Sequence, residues 1–418
     1  MKLAGTKVLI TQAHLLRFMG SEIVTLELAE YFALAGAEVV IVTHSFGLPI
    51  SQEFDKLPGV KLFELGDEAL TRNLAERLPD IAWIQHSILP APILEHADAI
   101  VFFFHHMSAI LPAEFTMAAD LEAALATVVL WESPQSKGIH AQSGLYDEME
   151  NSRLQVMGNP APARFSPSDR STVARRLVVV SNHLPLELVE ALGHLRAHFE
   201  IDMIGSQLEH GASPRRVTPE IIAEAGAVIS IGKTVQYSIV TGTPVYCYDH
   251  FGGPGWLVRT NVDAARFANF SGRGFTKKTS DEIVAEVESG YEEAGGEASI
   301  LLNERGPDFS LPTRIKRLFE FAEENPRVVV VPSVREIQAQ LLVQNAFGSY
   351  VREWIRMAGD ASFLGDRAKQ LDQKLVAVSA ELLQLADRIS VFEADRWYIA
   401  CVRFRHLIGR LSRPRPRR

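Results

Sequence analysis

Short apolar runs alternate with helix-length stretches of mixed polarity through the first three quarters of the chain. Residues 7–11 (KVLIT) and 38–43 (EVVIVT) have the branching and length of buried strands, and residues 60–63, 81–85, 99–104 and 127–130 continue the series. Between the first two, Gly20-Ser21-Glu22 opens an amphipathic helix that runs through Leu34 and ends at Gly36. Strands and helices alternating at this spacing predict a parallel sheet covered on both faces. Gly158-Asn159-Pro160-Ala161-Pro162 breaks the pattern, and Phe165-Ser166-Pro167 begins a linker. A second series follows, with strands at 177–181, 200–204, 227–231 and 245–248 and closing helices at 281–288 and 311–324. The expectation is an α/β protein of two Rossmann-like domains, residues 1–165 and 166–330, followed by a helical tail over 331–418.

The tail has a different rhythm. Leu371, Leu375, Val378, Leu382, Leu385, Ile389 and Phe392 step by four and three, the spacing of a coiled-coil or helix-hairpin seam. A turn at 359–365 would let this seam fold back on the apolar positions of 335–357; a homodimer is the alternative. After Asp395 no acidic residue occurs and arginines accumulate. That end reads either as a basic amphipathic helix on an anionic membrane surface or as a solvated terminus.

The stretch 227–257 carries the candidate chemistry. An apolar strand runs into Gly232-Lys233-Thr234, a helix follows to Gly242-Thr243-Pro244, and the next strand ends in Asp249-His250-Phe251-Gly252-Gly253-Pro254-Gly255, read as a glycine-rich loop. Ligands of doubly wound sheets lie beyond the carboxyl ends of the strands, where both glycine clusters fall. Gly232, Gly252 and Gly253 permit close backbone approach, a helix N-terminus offers free N–H groups, and Lys233 adds charge, as a phosphate requires. The same residues also suit ordinary turns. The pattern is not a Walker A loop, which would need glycine where Ala227 stands.

Composition narrows the class. Of 418 residues, 47% are hydrophobic and 22% charged, as in a globular protein, and no apolar run is long enough to span a membrane. The two cysteines, Cys247 and Cys401, form no CxxC pair, so no metal site is expected and a cytoplasmic location is the default. A net charge of −9 argues against nucleic acid as partner.

Several segments, in order, resemble the GT-B glycosyltransferases, in particular the retaining family of glycogen and sucrose synthases and bacterial cell-surface enzymes. They are Gly20-Ser21-Glu22 with the helix after it, the strand-plus-histidine segments ending at His86 and at His105-His106, Asn159 to Pro167, and Gly242-Thr243-Pro244-Val245 with Gly252-Gly253. The resemblance covers about residues 6 to 325. It departs from the family at the paired glutamates, where Ile229 and Tyr237 stand, and after the first strand of the second half, where Ser181-Asn182-His183-Leu184-Pro185 replaces the usual Arg and Lys.

The resemblance implies a glycosyltransferase of cell-surface polysaccharide synthesis, using a nucleotide-sugar as donor substrate and no other cofactor, with a glycan or lipid-linked acceptor. His105 or His106 would meet the transferred sugar, with His86 as a further candidate. Gly20, Asn182, His183, Gly232, Lys233, Thr234, Asp249, His250, Gly252 and Gly253 would hold the nucleotide. Asp249 would either reach a ribose or sugar hydroxyl or brace its loop, and Trp256 would either stack on a base or pack in the core. The missing glutamates and the coiled-coil tail motivate one alternative, a non-catalytic GT-B scaffold in a polysaccharide-assembly complex; a sugar-nucleotide epimerase on the same fold is a third reading.

Overall fold

The computed structural model describes residues 2–109, 116, 119–167, 175–207, 210–327 and 329–363, with side chains as far as 357. The seam at 371–392 and the arginine-rich end lie outside these residues. Contacts group residues Met1–Val351 into one compact unit and Arg352–Arg418 into a second. In the second, Arg356 pairs with Glu353 on an exposed helix face.

Seven strands form the first sheet: β1 (Lys7–Gln12), β2 (Glu38–Thr43), β3 (Val60–Glu64), β4 (Ile81–Ile84), β5 (Val101–His106), β6 (Val128–Trp131) and β7 (Leu154–Val156). Their order is β3-β2-β1-β4-β5-β6-β7, parallel throughout, so the winding reverses between β1 and β4. Five strands form the second: β8 (Arg176–Val180), β9 (Glu200–Ile204), β10 (Ala227–Ser230), β11 (Val245–Asp249) and β12 (Gly252–Trp256). The order here is β12-β11-β10-β8-β9, with the reversal between β8 and β10. Both are doubly wound α/β sheets, and each switch point opens a crevice at the strands' carboxyl ends.

Most strands and helix starts fall where the apolar periodicity places them. Several details differ. The segment expected to be a glycine-rich loop is partly β12, antiparallel to β11 with a register shift between Cys247 and Asp249. A Cβ at Gly253 would come 2.0 Å from the Cys247 carbonyl oxygen, so the glycines serve close strand pairing. The first helix, α1 (Gly20–Leu34), is not amphipathic in use: Glu22 and Glu27 are buried along with Ile23, Leu26 and Phe32, because protein covers it on both sides.

The third difference is the path of the chain. The Leu311–Glu324 helix does not close the second sheet but crosses back to the first, where Phe319 lies 6.2 Å from Phe32 and 5.6 Å from Phe103. The outgoing and returning segments pair at the crossing: Ala161 N donates to Phe309 O at 2.7 Å and Leu311 N to Ala161 O at 2.8 Å. Finally, the last described helix runs Val334–Phe363, straight through Gly359, so no turn begins there. Its first half packs on the opposite face of the first sheet, with Gln344 accepting from Leu89 N at 2.9 Å and Gln340 donating to Ser87 O at 2.7 Å.

Candidate active site

On the first sheet, Ile10, Trp83 and Phe103 are in register across β1, β4 and β5. Two residues further along each strand, on the same face, stand Gln12, Gln85 and His105. This row lies at the switch point and is almost wholly buried, at 0%, 1% and 2% exposure. Each side chain is half used. Gln12 Nε2 donates to Ser21 Oγ at 3.0 Å, Gln85 Oε1 accepts from Thr25 Oγ1 at 3.1 Å, and His105 Nδ1 accepts from Trp83 Nε1 at 3.3 Å. Gln12 Oε1, Gln85 Nε2 and His105 Nε2 have no protein partner. Turning either amide over would still leave one of its atoms unused. Since Nδ1 of His105 accepts, Nε2 carries the proton and is an available donor. Burial above all, then His106, Lys233 and His86, lowers the His105 pKa to about 3, so the ring is neutral.

His106 points to the other face. Its Nε2 lies 2.5 Å from Glu122 Oε1 and 2.9 Å from the Tyr146 hydroxyl, inside a buried group that includes His140 and Trp131. The two adjacent histidines thus have different surroundings, and only His105 stands in the row at the switch point. His86 adopts a positive φ of 55° just after β4, and its Nδ1 accepts from Ala13 N at 3.4 Å.

The second sheet presents its switch point through the loops after β8 and β10. Asn182 Oδ1 accepts from Ser206 N at 3.0 Å, and its Nδ2 reaches Met19 Sδ at 3.8 Å, directly before Gly20. Gly20 opens α1 on the exposed side, with nothing within 4 Å of the place a Cβ would take. His183 is exposed, its ring 5.8 Å from that of His250. Asp249 is committed to its surroundings: Oδ2 accepts from Ser181 Oγ at 3.0 Å and Oδ1 from His250 N at 2.8 Å. Trp256 packs into the protein, donating to Glu286 O at 2.8 Å and filling the space that Gly290 leaves open.

Gly232 (φ 62°) starts the Lys233–Thr241 helix, and its own N–H is taken by Phe270 O at 3.1 Å. Thr234 is buried in the first turn. Lys233 turns toward the first sheet, where its Nζ lies 2.6 Å from Glu27 Oε2 and 3.3 Å from Pro160 O. Glu27 also accepts from the Tyr237 hydroxyl at 2.6 Å and from Arg164 at 2.9 Å. Arg216 continues the network to Glu30 at 2.7 Å and Glu53 at 3.3 Å. Burial pulls the Lys233 ammonium below its ordinary pKa while Glu27 acts against that shift, and burial raises the Tyr237 hydroxyl. Tyr237, which occupies a position of the missing glutamates, is thus part of a bridge between the two sheets.

Sequence reasoning did not single out Gln12, Gln85, Glu27, Arg164 or Arg216 for this site. Polar residues at the ends of apolar strands were the available signal for the glutamines. Among the described residues, no group of acidic, histidine or cysteine side chains has the arrangement of a metal site.

The two sheet orders, each with its own switch point, define the class: a GT-B fold of two Rossmann-like domains, followed by the Val334–Phe363 helix. No protein-family model matches the sequence, and neither does any curated protein. Solved structures similar to the chain include Anabaena Alr3699/HepE in complex with UDP and glucose, at 13% identity and TM-score 0.49 over 76% of this chain and 100% of that one. An α-glucosyltransferase in complex with UDP and a 13-mer DNA is similar at 11% identity and TM-score 0.47, over 77% of this chain and 100% of that one. The glycosyltransferase of kitacinnamycin is similar at 13% identity and TM-score 0.45, over 77% and 100%. At such identities and scores these likenesses say nothing of activity, and the fold rests on the strand orders themselves.

Proposed function

We propose that the chain transfers a sugar from a nucleotide-diphosphate donor to a glycan or lipid-linked acceptor. The observation that carries the reading is the meeting of the two switch points, where Asn182 Nδ2 reaches Met19 Sδ at 3.8 Å directly before Gly20. The nucleotide lies along the second sheet between Asn182-His183 and the 232–253 segment, facing Gly20. The sugar reaches toward the first sheet, where His105 Nε2 donates to one of its hydroxyls. A neutral donor suits that task, because it orients the sugar without opposing the positive charge that grows on it. Departure of the diphosphate is helped by positive charge and helix N-termini, as in sites that stabilise a leaving anion electrostatically. A lipid-linked acceptor accords with the arginine-rich end of the sequence, which would favour an anionic membrane surface.

One observation favours the scaffold reading. Lys233 is already neutralised by Glu27, and Tyr237 is bound to the same carboxylate. Turnover separates the two readings. The full chain is incubated with a panel of nucleotide-sugars, with and without membrane lipid extract, and free nucleoside diphosphate is measured. A transferase releases it from one donor, faster with acceptor present; a scaffold releases none from any.

A further inference from the structure

We infer that Arg273 is the cation that receives the donor's diphosphate, a role that rests on the nucleotide-sugar reading. Arg273 lies on the loop after the Val262–Phe267 helix, its guanidinium 3.8 Å above the centre of the Phe251 ring. Phe251 in turn lies 3.9 Å from His250, at the carboxyl end of β11. The loop is pinned there: a Cβ at Gly272 would come 2.3 Å from Gly252 O, so the backbone of residue 272 rests on the start of β12.

The charge is available. Among the described residues, the Arg273 guanidinium has no hydrogen bond and no ion pair, and its one resolved attraction is to Glu132 at the carboxyl end of β6. Three other cations of this region are paired, Lys233 with Glu27, Lys278 with Glu286 and Arg266 with Asp308, whereas Lys277 beside Gly252 is exposed. Stacking on a ring leaves the in-plane N–H groups of a guanidinium unused, and these form the fork that binds two phosphate oxygens at once. The loop after β8, where Asn182 and His183 stand, carries no lysine or arginine to do this. A half-buried guanidinium held flat at a strand end, without a carboxylate, is a site prepared for an anion from outside.

The test compares wild type, Arg273→Gln and Arg273→Lys by calorimetry against UDP, ADP, GDP, the matching nucleosides and inorganic pyrophosphate, with thermal melting to confirm folding. The expected result is that wild type binds one nucleoside diphosphate best. Arg273→Gln weakens that binding and pyrophosphate binding about tenfold or more, the scale of a charge-assisted hydrogen bond. Arg273→Lys recovers part of the loss, and nucleoside affinity is unchanged. Wild-type affinity in Arg273→Gln, with nucleotide binding intact, overturns the role of Arg273 alone. An equal loss for nucleoside and diphosphate also overturns it, since Arg273 would then shape the pocket without meeting phosphate. Failure of wild type to bind any nucleotide overturns the nucleotide reading together with the inference.

Discussion

Lys233 and Glu27 meet at 2.6 Å between the first turn of the Lys233–Thr241 helix and the middle of α1, joining the two Rossmann-like domains by a buried ion pair. The pair is flanked by Tyr237, Arg164 and Arg216, so no charge in it stands alone. It ties α1, which packs on the first sheet, to the Lys233–Thr241 helix of the second domain.

Glu27→Gln leaves the buried Lys233 ammonium without its carboxylate, at a cost of about 3–5 kcal/mol, whereas Lys233→Met leaves Glu27 still held by Arg164 and Tyr237. Glu27→Gln is therefore expected to lower the thermal midpoint more than Lys233→Met, and the double variant to lose less than the sum. Additive losses would show that the two residues do not interact in solution.

Glu22 sits buried at the start of α1, accepting from the backbone N–H groups of Leu16 and Arg17, and burial raises its carboxyl pKa to about 7. Between its ordinary value and that one, the folded chain holds a proton that the unfolded chain has released. Stability from this group therefore falls as pH rises through the window, and the full cost stands above it. Glu22→Gln keeps an acceptor and removes the titration. Its thermal midpoint relative to wild type is expected to rise from pH 5 to pH 8; a constant difference would refute the buried, protonated state.

Much of this fold was legible because local chemistry and burial agree. The runs at β1 and β2 are apolar at every interior position, and Gly20 and Gly36 bracket α1 as turn residues should. The strand β12 was hidden because GGPGW has no alternating side chains, its pairing being made by close backbone contact. The Ser280–Arg305 helix runs past its expected end and through Gly290, against which the Trp256 ring packs, a contact no local pattern encodes. The histidines at the end of β5 were visible, but not which of them faced the switch point. Glu27, Arg164 and Arg216 come together from three distant segments, so neither spacing nor composition could join them.

His105 is expected to act on the sugar and not on the nucleotide. His105→Ala should lower kcat/KM for the true donor about 10- to 100-fold, a hydrogen bond's worth, while nucleoside diphosphate affinity stays within about twofold. Its ring should show a neutral Nε2–H tautomer by nitrogen NMR, with no titration above pH 5. A ring that titrates near the ordinary histidine value would contradict the burial described here.

Gly253 is the tightest point of the β11–β12 pair, where a Cβ would overlap Cys247 O at 2.0 Å. Gly253→Ala is expected to destabilise the second domain by more than the roughly 0.5–3 kcal/mol most single substitutions cost, because backbone must move. A variant that melts like wild type would mean that the hairpin tolerates separation and does not fix the loop at 249–253.

The central claim is that a nucleotide lies between the two switch points. Its most direct test is a crystal structure of the full chain with the nucleoside diphosphate it binds best. The account predicts density between Gly20 and the 232–253 segment, with the diphosphate within hydrogen-bond reach of the Arg273 guanidinium and the vacant sugar position opposite His105. Density for the nucleotide on any other surface, or an empty cleft at saturating concentration, would contradict it.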